Sequence, residues 1–119
     1  MLKVLLVDES EKLKHEAVNN RRLDIIIPES ELDILEYLKK TKIHYLIIPY
    51  KMKILDSLQL VKDIRKTNEI LRIIIVMSIN NAQTCLEYLN YGANEILIKP
   101  VTLEKILAKI DEIIDKKIQ

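Results

Sequence analysis

Polar side chains that could bind a phosphoryl group follow three of the aliphatic runs in this sequence. Asp8 and Glu9 come directly after the first run. Ser78 follows the fourth run, and Lys99 and Pro100 follow the fifth. Paired carboxylates are ligands that Mg²⁺ prefers, and a lysine beside a hydroxyl can bind a phosphoryl group. If the runs are parallel strands, their carboxyl ends meet at one edge of a sheet, and the sequence predicts a phosphoryl-binding site there.

The third aliphatic run ends in a proline. It lies in the segment YLIIPYKM at residues 45–52, where Pro49 stands at the point at which the strand would reach solvent. A proline side chain offers neither a nucleophile nor a metal ligand. This strand end therefore lacks the carboxyl chemistry that follows the first run.

Predicted strands and helices alternate along the chain. Five aliphatic runs are nearly continuous rather than alternating, which indicates strands buried on both faces of a parallel sheet. They occupy residues 3–7, 23–27, 45–48, 72–77 and 95–98. A helical pattern follows each run, and this order predicts an α/β doubly wound parallel sheet with right-handed crossovers.

The apolar spacing predicts which face of each helix is buried. The predicted buried residues are Leu13 and Ala17, then Leu32, Leu35 and Leu38, then Leu60, Val61 and Ile64, then Ala82, Cys85, Leu86 and Leu89, and finally a stripe from Leu103 to Ile114. Ser30 and Ser57 are predicted N-caps, Ser30 with Asp33 as a capping box. Tyr88 and Tyr91 fall outside the stripe of the fourth helix and are predicted to be exposed.

Composition excludes several classes of protein. The single glycine, Gly92, rules out glycine-rich phosphate loops. The net charge of +1, with mixed signs along the chain, argues against a nucleic-acid surface. One cysteine allows no internal disulfide. The first acidic residues come too early for a secretory signal, and the aliphatic runs are too short to span a membrane. We therefore expect a cytoplasmic protein with no membrane or nucleic-acid contact.

Four segments of the sequence resemble the motifs of the response-regulator receiver domain, the phosphoacceptor module of two-component signalling. They are KVLLVDES, PYKMKILDSLQLVKDIR, IIIVMSI and YGANEILIKP. The resemblance covers the whole chain. It implies a single receiver-like domain at residues 1–119 with a flavodoxin-like fold, in which a five-stranded parallel sheet of order 2-1-3-4-5 lies between two layers formed by five helices.

The resemblance also implies roles for the strand-end residues. Asp8 and Glu9 match the family's metal-binding acids. Ser78 matches the hydroxyl residue that contacts the phosphoryl group, and Lys99 matches the family's lysine. Pro100 matches the proline that often follows a cis bond.

By the same correspondence, Pro49 falls at the position of the phosphoacceptor aspartate. Aspartyl-phosphate chemistry requires a carboxylate there, so a catalytic acceptor is absent from this position.

Other departures agree with this reading. Lys53 replaces the family's proline, Ser57 its glycine, Ile79 its small residue after the hydroxyl, and Ile96 its aromatic switch residue. The phosphoryl pocket is therefore interpreted as vestigial, in a pseudo-receiver. Loss of one carboxylate disfavours Mg²⁺, which gives up its waters reluctantly. No other cofactor is expected. An alternative is that Lys51 or Lys53 places its ammonium group near the acidic pair.

The sequence therefore predicts a non-enzymatic signalling domain that acts by protein–protein contact. The expected partners are a histidine kinase, an output protein or a second copy forming a homodimer. The expected surface is formed by the fourth helix, fifth strand and fifth helix, with Tyr88, Tyr91 and Ile96 on it. Two alternatives stay open: a phosphorylatable regulator with a substitute acceptor such as Asp56, and a regulatory domain cut from a DNA-binding response regulator.

Overall fold

The computed structural model describes residues 1–7, 10–78 and 80–118. The strands are β1 (Lys3–Leu6), β2 (Asp24–Ile26), β3 (Tyr45–Pro49), β4 (Arg72–Met77) and β5 (Glu95–Ile98). The helices are α1 (Glu11–Asn19), α2 (Ile34–Lys40), α3 (Ser57–Thr67), α4 (Ala82–Asn90) and α5 (Leu103–Ile118), and a 3₁₀ turn (Glu31–Asp33) precedes α2. The predicted alternation of strands and helices is confirmed.

The five strands form one parallel sheet in the order β2-β1-β3-β4-β5. This is the predicted flavodoxin-like order. Adjacent strands end close together, because Pro49 is level with Val76 and Met77 is level with Ile98. The residues that follow β1, β3, β4 and β5 therefore share one edge of the sheet.

Both faces of the sheet are covered by helices. Leu46 and Ile48 of β3 point to the face covered by α2, α3 and α4, whereas Tyr45 and Ile47 point to the face covered by α1 and α5. All four of these side chains are buried. Burial on both faces explains why the strands read as continuous aliphatic runs.

The predicted buried faces of α1, α3 and α5 are confirmed for the side chains that the structure describes. They contribute Leu13 and Ala17, then Leu60, Val61 and Ile64, then Ile106, Ile110 and Ile113 to the core. No helix within the described ranges is long and apolar enough to cross a bilayer.

The predicted face of α2 is confirmed for Leu38, which packs on the core, and is wrong for Leu32 and Leu35, which are exposed. Ile34, four residues before Leu38, is fully buried. The 3₁₀ turn has three residues per turn rather than 3.6. Leu32 lies in this turn and Leu35 in the following α-helix, so an α-helical count across both elements misplaces the face.

The predicted face of α4 is confirmed for Cys85 and is wrong for Leu86 and Leu89. Leu86 is 58% exposed and Leu89 is 40% exposed, whereas Tyr88 is 6% exposed. Cys85 and Tyr88 are three residues apart and therefore share a helix face, and both pack on the core. The helix has apolar residues on two sides, and the buried side is the one on which the Tyr88 hydroxyl also finds hydrogen-bond partners.

The helix caps differ in part from the prediction. The Ser30 side chain accepts a hydrogen bond from the Leu32 amide, as expected for a cap. Asp33 is itself the N-cap residue of α2, and its side chain makes no cap hydrogen bond there. The cap of α3 is Asp56, whose carboxylate accepts from the Gln59 amide at 3.0 Å, and not Ser57. Ser57 is buried one residue inside the helix.

Gly92 joins α4 to β5 with a φ of 124°, in the region that favours glycine. The Arg65 side chain lies against it and donates to the Gly92 carbonyl and to Asn94 Oδ1, each at 2.8 Å. Asn94 Oδ1 also accepts from the Ile73 amide at 2.7 Å. A Cβ on residue 92 would lie 2.5 Å from Arg65 Cγ. Glycine at this position therefore allows Arg65 to fasten the α4–β5 connection to β4.

We expect the substitution Gly92→Ala to lower the free energy of unfolding by roughly 1–3 kcal/mol, through backbone strain and displacement of Arg65. Urea denaturation followed by circular dichroism measures the change. The matched control is Glu87→Ala, an exposed position on α4, which should stay within about 0.5 kcal/mol of the wild type. Equal urea midpoints for Gly92→Ala and the wild type would contradict this account of the turn.

Candidate functional site

A cleft of about 250 Å³ opens at the edge of the sheet where the strands end. The residues that line it come from the ends of β1, β3, β4 and β5, from the loop after β3 and from the 3₁₀ turn. They are Val7, Glu31, Pro49, Lys51, Met52, Lys53, Val76 and Lys99. The cleft therefore lies at the carboxyl ends of the strands, beside the point where the sheet order reverses between β1 and β3.

Pro49 lies in this cleft as the last residue of β3, half-buried. Lys99 also lines the cleft, and a cis peptide bond joins it to Pro100. Ser78 is exposed and is not among the lining residues. Asp8 and Glu9 lie outside the described residues, and so does Ile79. The structure thus brings together Pro49 and Lys99 among the predicted site residues.

Glu31 is a cleft residue that sequence reasoning missed. Its carboxylate accepts three backbone hydrogen bonds from the loop after β3: from the amides of Lys53 and Ile54 at 2.8 Å each, and from the amide of Leu55 at 3.0 Å. Both carboxylate oxygens take part. Glu31 therefore fastens the 3₁₀ turn to the loop that borders the cleft.

These hydrogen bonds keep Glu31 ionised. Partial desolvation acts to raise its pKa, but the three amides and the nearby Lys53 ammonium group outweigh that effect, and the pKa of Glu31 is lowered. In the sequence, Glu31 follows a serine cap and resembles an ordinary first-turn acid. Nothing local in the sequence marks a partner 22 to 24 residues away.

A second set of hydrogen bonds holds the other end of the loop after β3. The Ser57 hydroxyl donates to the Tyr50 carbonyl oxygen at 2.5 Å, and the Tyr88 hydroxyl lies 2.5 Å from the same serine oxygen. Because a serine hydroxyl carries one proton, Tyr88 is the donor to Ser57. The Tyr88 hydroxyl is also 3.3 Å from the Tyr50 carbonyl oxygen. Burial raises the pKa of Tyr88.

The loop between these two attachments is itself folded. Lys51 forms an antiparallel bridge with Asp56, and the Lys51 ammonium group lies 5.7 Å from the centre of the Tyr50 ring. Asp56 caps α3 and is not among the residues that line the cleft. The predicted contact between Lys51 or Lys53 and the acidic pair falls on residues outside the described ranges.

The residues expected on the partner surface have different environments. Tyr88 is buried, so its side chain is not available to a partner, contrary to the expectation. Tyr91 is 47% exposed, and the Lys62 ammonium group lies 4.0 Å from the centre of its ring. Ile96 is half-buried and packs on the core. Leu86 and Leu89 are the exposed large apolar side chains of α4.

Among the described residues, the cleft offers few oxygen ligands for Mg²⁺. Those residues contain no group of three or more acidic, histidine or cysteine side chains that could hold a metal ion. Pro49 offers no ligand, and both oxygens of Glu31 already accept amide hydrogen bonds. Metal binding by Asp8 and Glu9 stays a prediction.

We expect Glu31→Gln to lower the free energy of unfolding by about 1 kcal/mol at neutral pH, because one charged acceptor of amide hydrogen bonds is lost from a partly solvated site. The pKa of Glu31 is lowered by folding, so the stability it supplies is present above its unfolded pKa of 4.5 and is lost as pH falls through the lower folded value. Urea denaturation at a series of pH values measures both effects.

The matched control for this prediction is Glu29→Gln, two residues earlier and exposed. It should leave the free energy of unfolding nearly unchanged at every pH. A constant difference between Glu31→Gln and the wild type from neutral pH down to the acid transition would contradict the assigned role of the ionised carboxylate.

Comparisons with known proteins identify the family and the fold. The model of the response regulator receiver domain family matches residues 4–111. A two-component response regulator from Clostridium difficile is 22% identical, with a TM-score of 0.84 over 98% of both chains. The chemotaxis protein CheY4 of Vibrio cholerae is 20% identical, with a TM-score of 0.82 over 94% of this chain and 98% of that one. No curated protein matches the sequence.

A longer regulator shares the fold. The Thermotoga maritima response regulator DrrB, an OmpR/PhoB homologue, is 16% identical with a TM-score of 0.80, and the match covers 98% of this chain but 54% of that one. At these identities the solved structures show the fold alone. The family model, by contrast, spans nearly the whole sequence, from β1 into α5. The chain therefore belongs to the response regulator receiver domain family of two-component signalling.

Proposed function

We propose that this receiver domain acts by protein–protein contact without aspartyl phosphorylation. The observation that carries the proposal is Pro49 at the end of β3, inside the cleft and level with Val76 of the neighbouring strand. The sequence motifs align this position with the family's phosphoacceptor. An acyl phosphate forms only where a carboxylate can attack the phosphoryl group, and proline has none.

The described carboxylates near the cleft are poor substitute acceptors. Glu31 would have to release amide hydrogen bonds on the attacking oxygen, and its lowered pKa makes the carboxylate a weaker nucleophile. Asp56 faces the Gln59 amide as the cap of α3. A phosphorylatable regulator with a new acceptor is therefore disfavoured. We also propose that the domain has no enzymatic activity and no resident cofactor. A cytoplasmic location is proposed because a chain with a single cysteine fits a reducing compartment.

The proposed partner is another signalling protein: a histidine kinase, an output protein or a second copy of this chain. The side chains available to such a partner are Leu86 and Leu89 on α4 and Tyr91 just past its end, each at least 40% exposed. Ile96 lies on β5, the strand that follows α4 in the chain, and its side chain is partly buried. Tyr88 contributes from inside the core and not by direct contact.

A second candidate function is the regulatory part of a longer regulator. Two structural neighbours extend well beyond the matched region, since the chain covers 54% of DrrB and 51% of a putative two-component regulator with a GGDEF domain. In that case the α4 surface would contact an output domain of the same protein. The chemistry proposed for the cleft is the same in both cases.

Intact-mass spectrometry after incubation with acetyl phosphate and Mg²⁺ tests the proposal. We expect no mass gain for the wild-type chain. The variant Pro49→Asp restores a carboxylate at the end of β3 and should gain one phosphoryl group per chain, labile to hydroxylamine. Pro49→Asn is the matched control, because an asparagine side chain has nearly the same shape as an aspartate side chain but cannot form an acyl phosphate. This variant should gain no phosphoryl group.

Two outcomes would contradict the proposal. A stoichiometric, hydroxylamine-labile adduct on the wild-type chain would show that another carboxylate accepts the phosphoryl group, and Glu31→Gln and Asp56→Asn would then identify it. Failure of a folded Pro49→Asp variant to gain a phosphoryl group would show that position 49 is not aligned with the acceptor. Circular dichroism establishes that each variant is folded.

A further inference from the structure

The loop between β3 and α3 is held from two sides by elements that are distant in sequence. On one side, Glu31 of the 3₁₀ turn accepts the amides of residues 53–55. On the other side, Tyr88 of α4 donates to Ser57, which donates to the carbonyl of Tyr50. The loop therefore connects the segment before α2 to α4 through hydrogen bonds.

The loop is short and internally constrained. The bridge between Lys51 and Asp56 closes it into a turn, and Asp56 then begins α3 through its bond to the Gln59 amide. A displacement of the amides at 53–55 must therefore move the neighbouring residues 56 and 57. The Ser57 oxygen is the acceptor of the buried Tyr88 hydroxyl, so such a displacement alters that bond directly.

Tyr88 lies between the exposed leucines of α4. Leu86 precedes it by two residues and Leu89 follows it by one, and both are exposed while Tyr88 is buried. The buried hydroxyl thus helps to set how the helix is rotated on the core. A change in the Tyr88 bond would change the presentation of Leu86 and Leu89 to solvent.

The residues that the family motifs assign to switching are poorly placed for this connection. Ser78 is exposed and does not line the cleft. The Ile96 side chain is aliphatic and cannot form a hydrogen bond. Within the described ranges, Ser57 and Tyr88 supply side-chain hydrogen bonds between the loop beside the cleft and α4.

We propose that Glu31 and Tyr88 are the two ends of one conformational device, in which the loop between them couples the 3₁₀ turn to the exposed face of α4. Tyr88 is a positioning residue in this device, acting on the surface through the rotation of α4. The inference goes beyond the proposed function, and it holds whether or not the chain is phosphorylated.

Hydrogen exchange of the α4 backbone amides, measured by nuclear magnetic resonance, tests the coupling through a double-mutant cycle. Glu31→Gln should accelerate exchange in α4 by about two- to tenfold, the range expected for loss of one hydrogen-bonded contact. In the background of Tyr88→Phe, which lacks the hydroxyl, Glu31→Gln should add less than about a twofold change. The matched control is Tyr91→Phe, an exposed tyrosine just past α4, in which the full effect of Glu31→Gln should persist.

Independent structural roles would give a different result. If Glu31→Gln accelerates α4 exchange equally with and without the Tyr88 hydroxyl, or leaves α4 unchanged in the wild-type background, the coupling does not exist. Should Glu31→Gln fail to fold, Glu31→Asp keeps the charge while shortening the reach of the carboxylate, and the same cycle is measured with it.

Discussion

The parallel pairing of β3 with β1 on one side and β4 on the other sets the position of the residues at the ends of these strands that line the cleft. Hydrogen bonds continue this pairing past the strand ends, from the Val7 amide to the Ile47 carbonyl and from the Tyr50 amide to the Val76 carbonyl, each at 2.9 Å. The residues after the strands are thereby brought to one edge. Helices on both faces protect the hydrogen-bonded sheet from water. The cleft lies at the carboxyl ends of the strands, where the helices do not cover the sheet.

The same pairing explains how a proline fits at the end of a central strand. Successive residues of a strand direct their amides to opposite neighbours. Since the Tyr50 amide faces β4, the position of the missing Pro49 amide faces β1, and there it falls beyond Leu6, the last residue of that strand. Proline is tolerated at such a position, because few inter-strand hydrogen bonds with β1 remain for it to interrupt. The substitution thus removes the carboxyl chemistry of the cleft while leaving the fold intact.

Polar side chains near the cleft form hydrogen bonds with the backbone of the loop after β3. Glu31 accepts hydrogen bonds from three loop amides, and Ser57, which accepts from Tyr88, donates to the carbonyl of Tyr50. Satisfied backbone groups keep the loop attached to the 3₁₀ turn and to α4, because each broken bond would leave a polar group unpaired. A loop held in this way is consistent with a domain that binds a partner through its surface. It is also consistent with the proposed absence of a phosphorylation cycle.

The amino-acid sequence was sufficient to predict the five strands, their parallel arrangement and the loss of a carboxylate at position 49. Continuous aliphatic runs that alternate with helical patterns indicate strands covered by helices on both faces, and the identity of Pro49 needs no structure. The burial of Tyr88 and the exposure of Leu86 and Leu89 on α4 became known from the folded structure, because periodicity gives the spacing of apolar residues but not which of two apolar sides faces the core. The folded structure alone also paired Glu31 with the loop at 53–55. Such a bond depends on where the folded sheet places two distant segments, and no local pattern records that distance.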